Sequence, residues 1–292
     1  LRFKKAITIL VLIITVLSTI AALVGVFSNN TSEISEFKSI HGEQVEIYGK
    51  GIYKNDSIAI VAQGRAQDVV TLVLGIPILL ISLGMYRKKS LKGKLLLTGT
   101  LAFFLYTYVS YTFLWMYNSF FLIYVIIMSA SFFAFTLCMM SFDLDQLRNS
   151  FNTKLPIKTL AIFQIVIGLF LAFNWLGMIL PAVINNSVPL IIEHYTALVI
   201  QGLDLGFIFP VSILSAVLLL KRNPYGYLLS SIVIIKGITL GTSVTAMVIG
   251  QLLAGVKLNI AEIVMFPLLS IGTIYLFFIL LNNISEPLQK NI

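Results

Sequence analysis

Two ionisable residues stand inside long apolar runs of this chain: Asp204 in QGLDLG and Lys236 in IIKGITLG. A charge exposed to lipid costs about 2.5–3.5 kcal/mol even on the mildest scale, so such residues turn toward a bundle interior, a cavity or a partner. A carboxylate in that setting can accept hydrogen bonds, hold a proton or balance a cation, and an ammonium can do the converse. Gln201 lies one turn before Asp204, while Thr239 and Ser243 share the Lys236 face, so each charge extends a polar stripe. At ~1.5 Å of rise per residue, Asp204 lies about 10 Å and Lys236 about 12 Å inside its run. Helical side chains lean toward their own N-termini, so the two lean apart. That favours separate partners or a water-bridged network over a direct ion pair, with a structural polar contact as the alternative.

A second group of polar residues falls in the same part of the chain's topology. The third apolar run carries Tyr106, Tyr108 and Tyr111, too deep for the interfacial belt that suits Trp115 and Tyr117. With Asn118, Tyr124, Asn174, Asp68 and Glu262, they predict either an outward-opening polar vestibule or interhelical hydrogen bonding. The candidate ligand-binding set is therefore Asp204, Lys236, Gln201, Thr239, Tyr108, Tyr111, Asp68 and Glu262. Catalytic and metal signatures are weak. His41 and His194 lack the i, i+4 spacing of a zinc helix, and GQLLAGVK at 250–257 lacks the Gly-Lys-Ser/Thr ending of a phosphate loop. Asp143 and Asp145 have no second acidic cluster beside them and read as a solvated loop. Neither a metal nor a cofactor is expected.

The elements that must position these residues are membrane spans. With 58% hydrophobic residues, 11% charged and a mean hydropathy of +0.97, the chain is far more apolar than a soluble domain. Eight runs of span length cover 6–27, 67–86, 95–116, 120–140, 160–180, 197–220, 228–250 and 260–281. The first follows Arg2, Lys4 and Lys5 but is too long for an ordinary signal-peptide core. Lys and Arg number 14 on one side of this topology and five on the other, with Lys236 within a span. This predicts both termini cytoplasmic, and it accounts for the net charge of +8 without nucleic acid. Segment 28–66 is then extracytoplasmic. Val45, Ile47 and Tyr48 suggest a short strand there, Asp56 or Ser57 a helix cap, and Gly64 a helix break. Cys138 stands alone, so no intrachain disulfide is expected.

Displacing residues 67–96 by 133 positions pairs Pro77 with Pro210, Lys88 and Lys89 with Lys221 and Arg222, and Gly93 with Gly226. Each half then reads as four spans, 1–140 and 141–292, and the repeat would be parallel. Matching loop chemistry without duplication is the alternative. The expected fold is all-α, a polytopic bundle of about eight transmembrane helices.

The run from Gln201 to Met247, with LDLG, the turn ending in Pro224, Tyr225, Gly226 and Tyr227, and IIKGITLG, resembles a family of bacterial multi-pass membrane proteins with no established activity. The similarity extends over 45–135, including QDVVTLVLG and LLLTGTLAFFLYTY. It implies a fold and no chemistry. Three functions are open at this level. The leading one is binding or moving a small polar or amphipathic molecule through an outward-facing cavity. The others are a membrane-embedded enzyme acting on a lipid or isoprenoid, and a noncatalytic subunit whose 28–66 segment docks another protein. Membrane lipid is a partner in all three.

Overall fold

Each apolar run closes into a helix because lipid offers no hydrogen bonds to a bare backbone. The computed structural model describes residues 3–30, 36–39 and 42–286. Eight of its helices are long and apolar enough to cross a membrane: α1 (Lys4–Phe27), α2 (Ile58–Arg87), α3 (Leu91–Phe113), α4 (Phe121–Met139), α5 (Ile157–Ile184), α6 (Val199–Leu220), α7 (Pro224–Leu253) and α8 (Ile260–Asn282). The protein is an all-α, multi-pass membrane protein.

Helix α2 begins well before the expected 67, because Ser57 caps it by accepting a hydrogen bond from the Ile60 N–H. Gly64 does not break it. A Cβ there would collide with the Trp115 ring, so the glycine admits an indole while the helix continues. A short strand does form there as β2 (Gln44–Glu46), antiparallel to β1 (Glu36–Lys38), but it includes only Val45 of the expected residues, and Ile47 forms an isolated bridge with Ser57. Arg65 ties this region to α1 by donating to the Tyr48 hydroxyl and the Val26 carbonyl, each at 2.8 Å.

The two sequence segments related by 133 positions share a backbone design. Residues Thr71–Gly75 of α2 and Asp204–Ile208 of α6 are both π-helical, and Pro77 and Pro210 follow just after α-geometry resumes. A proline ring crowds the carbonyl four residues earlier, and a widened turn relieves that crowding. Lys89 and Arg222 both close their turns with positive φ, 66° and 54°. Ser90 and Asn223 then cap α3 and α7 through side-chain oxygens. A Cβ on Gly93 or Gly226 would strike the backbone of the preceding helix, so both glycines permit a tight hairpin.

Helices α3 and α7 form the centre. They cross where Gly99 meets Ile235 and the Lys236 backbone. Gly237 and Gly241 seat α7 against Thr273 and Ser270 of α8, the close approach that their spacing predicts. Helix α7 also packs closely on α2, where Gly250 meets the Ala62 carbonyl, whereas α3 touches α6 only lightly. The space left between α3 and α6 holds the cavity.

Candidate functional site

The cavity has a volume of about 410 Å³ and lies among α2, α3, α5, α6, α7 and α8. Helical periodicity selects its walls. Leu240, Val244, Met247, Val248 and Gln251 form one stripe of α7, and Tyr106, Thr107, Ser110 and Tyr111 form one of α3. Opposite them, α6 contributes Ile200, Gln201 and Asp204, and α5 contributes Leu171 and Trp175. The mouth lies on the face that carries the β1–β2 segment. Loop residues at this end of the lining include Ile192, Glu193, Tyr195, Ala197, Val256 and Lys257.

Asp204 ends the cavity. It is 5% exposed, and both carboxylate oxygens are engaged: Tyr106 donates its hydroxyl to Oδ1 at 2.8 Å, and Trp175 donates Nε1–H to Oδ2 at 2.9 Å. Charge-assisted bonds of this kind stabilise an acceptor that burial would otherwise isolate. Because Asp204 opens the π-helical segment, the local widening sets the angle at which it faces α3 and α5.

Lys236 is not in the wall. It lies one turn beyond Leu240 on the same α7 stripe, with its ammonium 4.1 Å from the centroid of the Tyr106 ring. That cation–π contact partly replaces lost hydration. Tyr106 thus separates the two charges while touching both, and the expected divergence of the side chains is resolved by one shared neighbour. Thr239 is also outside the wall, buried, and bonded back to the Lys236 carbonyl.

The other candidates divide. Gln201, Tyr111 and Glu262 line the cavity. Asp68 and Tyr108 lie behind it in a separate buried cluster. There Asp68 accepts hydrogen bonds from Tyr53 at 2.7 Å and Tyr111 at 2.8 Å, while a Cβ on Gly25 of α1 would overlap its carboxylate. Tyr108 stacks among Phe104, Tyr111 and Tyr124. A cavity and a cluster of interhelical hydrogen bonds therefore both occur, in adjacent compartments that Tyr111 joins. Trp115, just past the end of α3, packs on Tyr53 and Tyr111 and lines the cavity.

Sequence reasoning missed Trp175. Its position in FNWLG, deep in a long run, was the available signal, since a buried indole N–H needs an acceptor. It also missed the anchor of the mouth. Asp56 is 1% exposed and accepts hydrogen bonds from the Met116 N–H and the Tyr195 hydroxyl, each at 3.0 Å. Tyr195 also accepts from the Ser57 N–H at 3.2 Å. Burial pushes the Asp56 carboxyl up to about 7, against the opposing effect of those hydrogen bonds. Glu193 beside it is raised too, chiefly by burial, and holds a positive φ of 48°. His194 bonds the Asn55 carbonyl and packs on Tyr195. His41 lies outside the described residues, and among those described no group of three or more His, Cys, Asp or Glu could hold a metal.

No family model, curated protein or solved structure matches this chain. The chemistry of the site rests on its geometry.

Proposed function

We propose that this membrane protein binds a small amphipathic molecule in the cavity and moves it across the bilayer, with the cavity mouth on the outer side and both termini cytoplasmic. One observation carries the reading. A partly open cavity with apolar walls of Leu171, Leu240, Val244 and Met247 ends on a buried carboxylate held by two neutral donors. Pockets of this size and make-up bind ligands through apolar contact and orient them through few polar groups. The Lys and Arg asymmetry supports the orientation.

Both tryptophans of the chain, Trp115 and Trp175, line the cavity, so their emission reports occupancy. Titration with alkylamines and alkyl alcohols should give a saturable change for the native protein. Asp204→Asn keeps the shape and removes the charge, and should weaken amine binding by about tenfold, roughly 1.4 kcal/mol. A linear, non-saturating response to both series would refute the reading.

A further inference from the structure

We propose that the ligand is a cationic amphiphile dissolved in the bilayer, and that it reaches the cavity sideways, through the seam between α5 and α8. The inference rests on the proposed binding role of the cavity and adds the ligand's charge and its route.

The charge follows from the lining. Among the described residues, Asp204, Glu193 and Glu262 border the cavity, against Lys257 as the one basic side chain. Lys236 lies outside the wall over the Tyr106 ring, where its charge acts on that ring's face and through space on Asp204, so Glu193 and Glu262 supply the excess of negative charge at the lining. A head group entering the polar end therefore meets an acceptor, and a protonated amine satisfies it better than an anion. The apolar walls suit a hydrocarbon body.

The route follows from helix packing. Helix α5 is anchored on α6, where Gly168 meets Phe209 and Ser212, and α8 is anchored on α7 through Gly237 and Gly241. The two make only marginal backbone approach to each other, yet both contribute to the cavity wall, α5 with Leu171 and Trp175 and α8 with Glu262 and Phe266. Across their seam Phe170 meets Phe266 edge-on, with ring centroids 5.6 Å apart. Beside it the flanks are apolar and exposed, Phe173 at 68% and Leu268 at 56%, as a lipid-facing surface requires. Pro267 follows Phe266 inside α8. It removes the hydrogen bond to the Ile263 carbonyl and makes this the turn where α8 bends most easily.

The test uses the full chain in vesicles, with Cys138→Ser as background and a pyrene-tailed primary alkylamine already dissolved in the bilayer. Energy transfer from tryptophan to pyrene reads loading. Joining Phe170→Cys to Phe266→Cys with a short bismaleimide should slow loading about tenfold relative to the same variant left unjoined. Phe170→Leu, which removes one ring of the gate, should speed it severalfold. Equal rates in all three states, with saturable binding intact, would overturn the route and leave the cavity reading standing. Equal affinity for the amine and the matching pyrene-tailed alcohol would overturn the cationic assignment. Absence of any saturable transfer, for the amine and the alcohol alike, would instead overturn the binding role itself.

Discussion

Tyr106 has the most consequential position of any single residue. Its hydroxyl holds Asp204 and its ring covers Lys236, so Tyr106→Phe keeps the cation–π face and deletes only the donor. Binding of a cationic amphiphile should fall about three- to tenfold, while thermal stability changes little beyond the ~1 kcal/mol of one lost hydrogen bond. Tryptophan emission and thermal unfolding measure the two separately. Asp56 makes a different residue-level prediction. Its folded-state carboxyl, raised to about 7 by burial, retains a proton that the unfolded chain releases near pH 4. Between those values the folded state binds more protons, so this contribution to stability is full at low pH and lost as pH rises toward about 7. The thermal midpoint should fall from pH 5 to pH 8. Asp56→Asn keeps the Oδ1 acceptor for Met116 and Tyr195 and should make that slope shallower, although Glu193, also raised, retains part of it. An unchanged slope would show that Asp56 does not set it.

At the scale of elements, the hairpins at 87–91 and 220–224 are built alike. The positive φ of Lys89 and Arg222, the caps Ser90 and Asn223, and the glycines that follow all serve one purpose, to lay a helix tightly against its predecessor. Gly93→Ala and Gly226→Ala each place a methyl group against backbone, which cannot swing aside as a long side chain would. Each should cost about 1–3 kcal/mol, visible as a lowered thermal midpoint in both variants. The π-helical segments are likewise paired, but their contents differ: Thr71 is buried and accepts a hydrogen bond from Gln67, where Asp204 faces the cavity. The same backbone device thus carries a packed hydroxyl in α2 and a buried carboxyl beside the cavity in α6.

Across the whole molecule, the topology expected from charge is open to direct test. Four spans separate the two basic turns, so both lie on one side. Cysteines at Lys88 and Lys221 should react with an impermeant thiol reagent only after permeabilisation, and one at Lys257 in intact cells. The reverse pattern would invert the protein. The same arrangement makes the interior uneven. Helix α7 closes on α2, whereas α3 touches α6 only lightly, so the cavity occupies the looser of these two approaches.

The spans, the short hairpins, the Gly237 and Gly241 contact and the burial of Asp204 were legible in sequence, because lipid dictates hydropathy, helix length and the placement of charge with little help from tertiary context. Helix periodicity also brought Gln201 and Asp204 to one face. Which face met which neighbour was not legible. Side-chain pairing across helices depends on rotation and crossing angle, and these are set by small residues such as Gly99 and by π-helical turns that periodicity alone does not announce. Only the tertiary structure could put Trp175 on Asp204, place Lys236 behind Tyr106 rather than in the wall, and divide the deep tyrosines between a cavity and a packed cluster. In each case the partner lies far along the chain, and its distance in space was decided by how the helices pack.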